Sequence, residues 1–208
     1  MTRDEINARV KVNLGGNSIY FTDALINPAI QDSYGEVAAL AGTILKATVV
    51  PFSAHISYYD FGSLISDFGS LISVWNSAVR RWMIPVAIKE LDKESVNWET
   101  ALGTPEYISP LNHRYVAIYR KPGAAGYGSM YVFYRARADT LAGGDTPSIP
   151  IEYQGIIEDL TTLSMFEKIE EWAKAQKLFA SYIDDLNKLR IQAEHYKIPD
   201  RLRVMGAY

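Results

Sequence analysis

Gly42-Thr43-Ile44-Leu45-Lys46-Ala47-Thr48-Val49-Val50-Pro51 is where the chain changes character. The run from Thr43 is short, β-branched and bounded by Gly42 and Pro51, which is the signature of a strand. Upstream the spacing is helical. Thr22 precedes Leu25, Ile26, Ile30, Val37, Ala38 and Leu40, so a helix opens there and Gly42 closes it as a C′ glycine. Pro28 falls near its first turn, where a missing N–H is tolerated. Further back, Thr2 with Glu5 three residues on forms a capping box ahead of Ile6, Val10 and Leu14, and Gly15-Gly16 stops that first helix.

Downstream of Pro51 strand-like runs return at 82–90, 113–120 and 130–137. The last two predict a hairpin, with Val116 and Ile118 on one face of its first strand and Tyr115, Ala117 and Tyr119 on the other. Residues 122–128 would connect them, their three glycines permitting positive φ. Helix resumes after Ile149-Pro150. One stripe carries Tyr153, Ile156, Ile157, Leu160, Leu163 and Ser164; a second carries Trp172, Ala175, Phe179, Tyr182, Leu186 and Leu189. A single helix of roughly forty residues would far exceed the usual 8–20, so a break at 167–171 and an antiparallel pair are expected. The fold class is therefore α+β. Residues 1–42 and 148–195 would form a four-helix bundle, and 43–147 a mostly antiparallel β insertion between its second and third helices. Residues 196–208 would be an extended C-terminal tail, basic through Lys197, Arg201 and Arg203 and apolar through Leu202, Val204, Met205 and Tyr208.

Composition narrows the function. The 208 residues are 48% apolar and 22% charged, which suits a packed chain rather than a disordered one. A net charge of -3 argues against a large cationic footprint for duplex DNA. The absence of any 18-residue apolar run argues against a membrane-spanning helix. The first residues show no secretory signal, so synthesis and assembly in a cytoplasm are expected. With no cysteine, disulfides, thiolate nucleophiles and Cys-based metal centres are excluded. Fourteen tyrosines and four tryptophans are more than a core needs and fit either protein–protein interfaces or a β-rich segment, since aromatics also favour strands.

Residues suited to chemistry are sparse. His55, His113 and His195 are scattered with no carboxylate at ligand spacing, so no metal or cofactor is expected. Gly126-Tyr-Gly-Ser-Met130 lacks the closing glycine of a nucleophile elbow, and Gly123-x-x-Gly-x-Gly128 opens no helix. Glu167, Glu170, Glu171, Asp184 and Asp185 read as solvated helix charges rather than a paired acid and base. No catalytic constellation emerges, and an enzyme is not expected. Arg135 and Arg137 share a face with Tyr131 and Phe133, a pattern that can stack single strands but is commoner in an ordinary amphipathic strand.

One feature is unmistakable: Asp60-Phe-Gly-Ser-Leu-Ile-Ser66 is followed at once by the same seven residues, Asp67 to Ser73. One duplication is too short for a solenoid, and an insertion is best tolerated in a surface loop. A protruding loop is expected there.

The order of elements now meets specific wording: Tyr20-Phe-Thr-Asp-Ala-Leu-Ile26, Arg81-Trp-Met-Ile-Pro-Val86, Glu90-Leu-Asp92 and Trp98. Gly103-Thr-Pro-Glu-Tyr107, Tyr119-Arg-Lys-Pro122, Tyr131-Val-Phe-Tyr134, Asp139-Thr-Leu141 and Ile149-Pro-Ile-Glu-Tyr153 follow. Over about residues 17–190 this resembles the head-to-tail adaptor, or connector, proteins of tailed bacteriophages, especially short-tailed ones. The resemblance implies a virion structural protein at the neck, in a ring, commonly of twelve copies, docked under the portal. Such a ring extends the channel, through which double-stranded DNA passes without sequence-specific binding, and it offers a platform for the tail nozzle or tube. Carried over by position, portal contact falls to Arg201, Leu202, Arg203, Val204 and Tyr208. The tail-facing surface falls to the insertion, with Asp60, Phe61, Asp67, Phe68 and Tyr127. The rival reading is a tail-completion or tail-tube protein.

Overall fold

The computed structural model describes residues 1–16, 20–94, 97–124 and 126–195. In chain order the elements are α1 (Arg3–Asn13), α2 (Asp23–Ala41), β1 (Leu45–Pro51), β2 (Tyr58–Asp60), α3 (Phe61–Leu64), β3 (Phe68–Asn76), β4 (Arg81–Trp82) and β5 (Ile84–Pro85). Then come α4 (Ile88–Glu94), β6 (Tyr107–Pro110), β7 (Tyr115–Tyr119), β8 (Ser129–Ala136), α5 (Gly155–Lys168) and α6 (Trp172–His195). The protein is mixed α+β, with helices and largely antiparallel sheets. Among the described residues it divides into two compact units, Met1–Ile44 with Arg137–His195, and Leu45–Ala136.

The first unit is helical. Thr2 and Glu5 exchange the two bonds of the capping box, the Glu5 N–H donating to Thr2 Oγ1 and the Thr2 N–H to Glu5 Oε2. Gly42 takes the left-handed conformation (φ 62°) and donates to Ala38, ending α2 as a C′ glycine does. Thr22 caps α2 by position, but its side chain makes no capping bond, and Pro28 lies a turn deeper than the first. α5 packs on α1, α2 and α6, and α2 also meets α6. Ile6, Ile26, Ile30, Tyr34, Ile157 and Leu189 are buried in this core. The expected break falls at Ile169 to Glu171, where Glu170 adopts φ 61° and the chain folds back. The strand-free return from 137 is pinned to the helices: Gln31 donates to the Asp139 carbonyl and accepts from Leu141 N–H, while buried Gln154 donates to the carbonyls of Pro147 and Ile149.

The second unit holds two four-stranded sheets. Sheet A runs β1-β8-β3-β4, all antiparallel; sheet B runs β2-β7-β6-β5, with β5 and β6 parallel. β8 alternates as a half-buried strand should, with Met130, Val132, Tyr134 and Ala136 inside and Tyr131 and Arg135 outside. Val116 and Ile118 are buried on one face of β7, and Ala117 on the other, where it meets Leu91 of α4 and Trp98. Both faces of sheet B are thus covered.

Two strand expectations are corrected. β7 and β8 do not form a hairpin: β7 pairs with β2 and β6 in sheet B, and β8 with β1 and β3 in sheet A. The hairpin partner of β7 is β6, across a tight turn in which Asn112 Oδ1 accepts from the N–H groups of Arg114 and Tyr115. Two alternating runs look like a hairpin pair whether they share a sheet or belong to two. The expected strand at 82–90 is two short edge pieces, β4 and β5, and from Ile88 it is helical.

Candidate interaction surfaces

The duplicated heptapeptide folds in two ways. In the first copy Asp60 ends β2 and caps α3, accepting from Ser63 N–H; in the second, the residues after Asp67 form β3. β3 lies between β8 and β4, inside sheet A, so the expected protruding loop is corrected: both copies are built into the fold. The register against β8 slips between Phe68 and Ser70 and again between Leu71 and Ser73, so β3 bulges twice against β8. Gly69 sits at the first, and a Cβ there would lie 2.7 Å from the Arg135 carbonyl oxygen.

The two copies converge through their first residues. Phe61 and Phe68 are buried with ring centroids 5.6 Å apart, and Tyr59 and Tyr134 extend the stack. Both phenylalanines, expected on the tail-facing surface, are core side chains of this unit. The two aspartates are held by cations. Arg114 forks onto Asp60 with Nε and Nη2 each at 2.5 Å and holds that carboxyl well below the usual range. Burial alone would push the Asp67 carboxyl up, but bonds from Lys46 (2.7 Å) and Tyr134 (2.8 Å) outweigh it and the net shift is downward. Burial, and then the bond to Asp67, raise Tyr134 to about 12.

Tyr127, half-buried, lies in the segment joining β7 to β8, where Gly126 and Gly128 both take positive φ. At Gly128 a Cβ would meet Ser77 Oγ at 2.7 Å, so this turn packs against the one after β3. Arg201, Leu202, Arg203, Val204 and Tyr208 lie outside the described residues, as does the rest of the C-terminal tail.

Two apolar surfaces escaped the sequence reading. Across sheet A the register aligns Val49, Tyr131, Trp75 and Trp82 in one row on the outward face, with Trp75 and Trp82 edge to face at 5.3 Å. Strand pairing alone creates that row, so nothing local announced it. On α6, the sequence stripe groups Trp172 and Phe179 with Ala175, Tyr182, Leu186 and Leu189; the structure buries the latter four and leaves Trp172, Phe179, Ile183 and Ile191 exposed. Steps of seven and four from Trp172 through Phe179 to Ile183 carried the signal of a second stripe.

A cleft of about 410 Å³ lies where the β4 and β5 edges meet, lined by Asn76, Arg81, Trp82, Pro105 and Glu106. The Asn76 amide is already engaged, donating to the Pro105 carbonyl and accepting from Ala78 N–H. Among the described residues no group of His, Asp and Glu is placed to hold a metal ion, and no helix is long and apolar enough to cross a membrane.

The exposed apolar residues of sheet A and α6 are surfaces of the kind found at protein–protein contacts. The profile of the SU10 adaptor protein family matches residues 1–204, and the chain belongs to that family. It is thus a phage adaptor, a structural component of the virion that works alongside other phage structural proteins. No curated protein matches the chain.

Proposed function

We propose that the protein is a head-to-tail adaptor that docks as a ring, of twelve copies, under the portal of a short-tailed phage, extends the DNA channel and seats the tail nozzle or tube. The whole-chain match to an adaptor family carries this reading. Unlike apolar surfaces on one chain support it, since a closed ring joins two different faces of each copy. In this reading the helices of the first unit form a four-helix bundle as the ring body, and the chain has no enzymatic role. Arg201 and Arg203 pair with portal acids while Leu202, Val204 and Tyr208 fill a groove between portal subunits. The tail-facing surface is the 122–128 segment with Tyr127 and the edge bearing Asp60 and Asp67, where Leu64 and Ile72 are exposed. A net charge of -3 suits a channel through which DNA slides.

The test is mixing. Purified subunit is examined by light scattering and electron microscopy, alone and with portal rings from the same phage. Rings that appear only with portal are expected, and a chain ending at 195 should lose them. A self-formed tube or sixfold ring indifferent to portal would overturn the proposal in favour of a tail-tube or tail-completion protein.

A further inference from the structure

We infer that the exposed stripe of α6 is one half of the copy-to-copy contact, and that it seats on the exposed face of α2 of a second copy. This rests on the ring reading and names the surfaces that join it. α6 carries two apolar stripes: Ala175, Tyr182, Leu186 and Leu189 are spent on its own core, while Trp172 (62% exposed), Phe179 (52%) and Ile191 (58%) face solvent with Ile183. Trp172, Gln176, Phe179, Ile183 and Arg190 follow each other at spacings of four, three, four and seven, the repeat by which helices pack side by side. On that stripe Gln176 separates the two aromatic rings, and it is exposed as they are. Arg190 ends the stripe, exposed, and among the described residues it has no ion-pair partner.

α2 supplies the complement in charge. Its 19 residues include Asp23, Asp32 and Glu36 and no Lys or Arg. Asp23 is engaged by Lys11 at 2.7 Å. Asp32 and Glu36 are exposed, and Glu36 accepts a long hydrogen bond, 3.5 Å, from the neutral Tyr182 hydroxyl. They lie on the same face as Leu25 (50% exposed) and Ala39, at spacings of seven, four and three residues that keep them on one side of the helix. Gly35, between the two acids, has open space where a Cβ would stand, so a ring or branched side chain from a neighbour can come close to this backbone. An aromatic stripe ending in a cation thus meets a shallower apolar face bearing only anions, two unlike surfaces on one chain, as a closing ring needs.

The contact is small. About half a dozen residues a side compare with the 20–30 of a stable interface, so one contact alone holds copies weakly and assembly waits for a template that presents several at once.

The chain has no cysteine, so introduced ones report unambiguously. Phe179→Cys or Ile183→Cys chains are mixed with Asp32→Cys or Ala39→Cys chains, on portal and at high concentration without it. Crosslinked dimers of one chain from each batch are expected, with few from either batch alone. In parallel, Arg190→Glu should raise the subunit concentration needed for half-maximal assembly on portal by about tenfold or more, and Glu36→Lys in the same chain should recover most of it. Absence of mixed crosslinks, or assembly unchanged by Arg190→Glu, overturns the inference while leaving the ring reading standing if rings still form. Absence of rings from the unaltered chain on portal defeats the ring reading instead, and the portal-free crosslinks then decide whether the two faces meet.

Discussion

Removing residues 60–66 and removing residues 67–73 produce one and the same chain, because the two copies are identical. That chain must use its single Asp-Phe-Gly-Ser-Leu-Ile-Ser either as the cap and turn after β2 or as the start of β3. Either choice removes one phenylalanine from the buried stack of Tyr59, Phe61, Phe68 and Tyr134. Losing a buried phenylalanine side chain costs about 3–5 kcal/mol, a large part of the roughly 5–15 kcal/mol that holds a domain folded. At about 2–4 °C per kcal/mol for a chain of this size, the melting temperature should fall by roughly 6–20 °C. Three of the four tryptophans, Trp75, Trp82 and Trp98, lie in the unit that contains the repeat, so a fluorescence melt reads the affected part directly. Phe61→Ala and Phe68→Ala, made singly, should each fall in the same range. A deletion chain that melts within about 2 °C of the full chain would refute the reasoning and return the repeat to the status of a loop insertion. So would a Phe61→Ala chain that melts normally beside a crippled Phe68→Ala chain, for the first copy alone.

The two repeat glycines should respond unequally. Gly69→Ala drives a Cβ into the rigid Arg135 carbonyl and should lower stability by about 1–3 kcal/mol, whereas at Gly62 the neighbour is the movable Arg114 side chain and the melt should shift less. Asp60→Asn tests the Arg114 fork. The Asp60 carboxyl is lowered in the folded protein, so its contribution is present above the unfolded value of about 3.9 and fades as pH falls through the folded one. The variant should melt below the parent at pH 7, and the gap should narrow at pH 3. Thr2→Ala removes a cap that satisfies the Glu5 N–H and should cost about 1 kcal/mol, read as faster amide exchange confined to the start of α1.

Features decided by neighbours in the chain are legible in the sequence. The Thr2–Glu5 box, the Gly42 stop and the reversal near Glu170 depend on a few adjacent residues and stand where expected. The alternation of β7 and β8 is also legible, but not which strand each joins, because Tyr115–Tyr119 and Ser129–Ala136 carry no label for their sheet. The repeat shows the limit most clearly: seven identical residues form a cap and helical turn beside β7 and a bulged strand beside β8, so the surroundings decide. The outward row on sheet A is hidden for the same reason, being assembled from residues up to 82 positions apart (Val49 to Tyr131). The second stripe of α6 is within reach, since its spacing is local, but a helix with apolar residues on two adjacent faces reads as one wide face until the core claims its share.

The pairing of β1 with β8 makes the folding of the two units cooperative. The chain enters the second unit at Leu45 and leaves it at Ala136, and Leu45 stands opposite Arg135 in the ladder. Paired positions of an antiparallel ladder are about 5 Å apart, so once this unit forms, the helices on either side are joined as if by a very short linker. Without it they must close a loop of roughly ninety residues, and on a logarithmic loop-closure scale that difference amounts to about 3 kcal/mol. Formation of the β unit should therefore favour docking of the helices that flank it in sequence, and docked helices should favour the β unit in return.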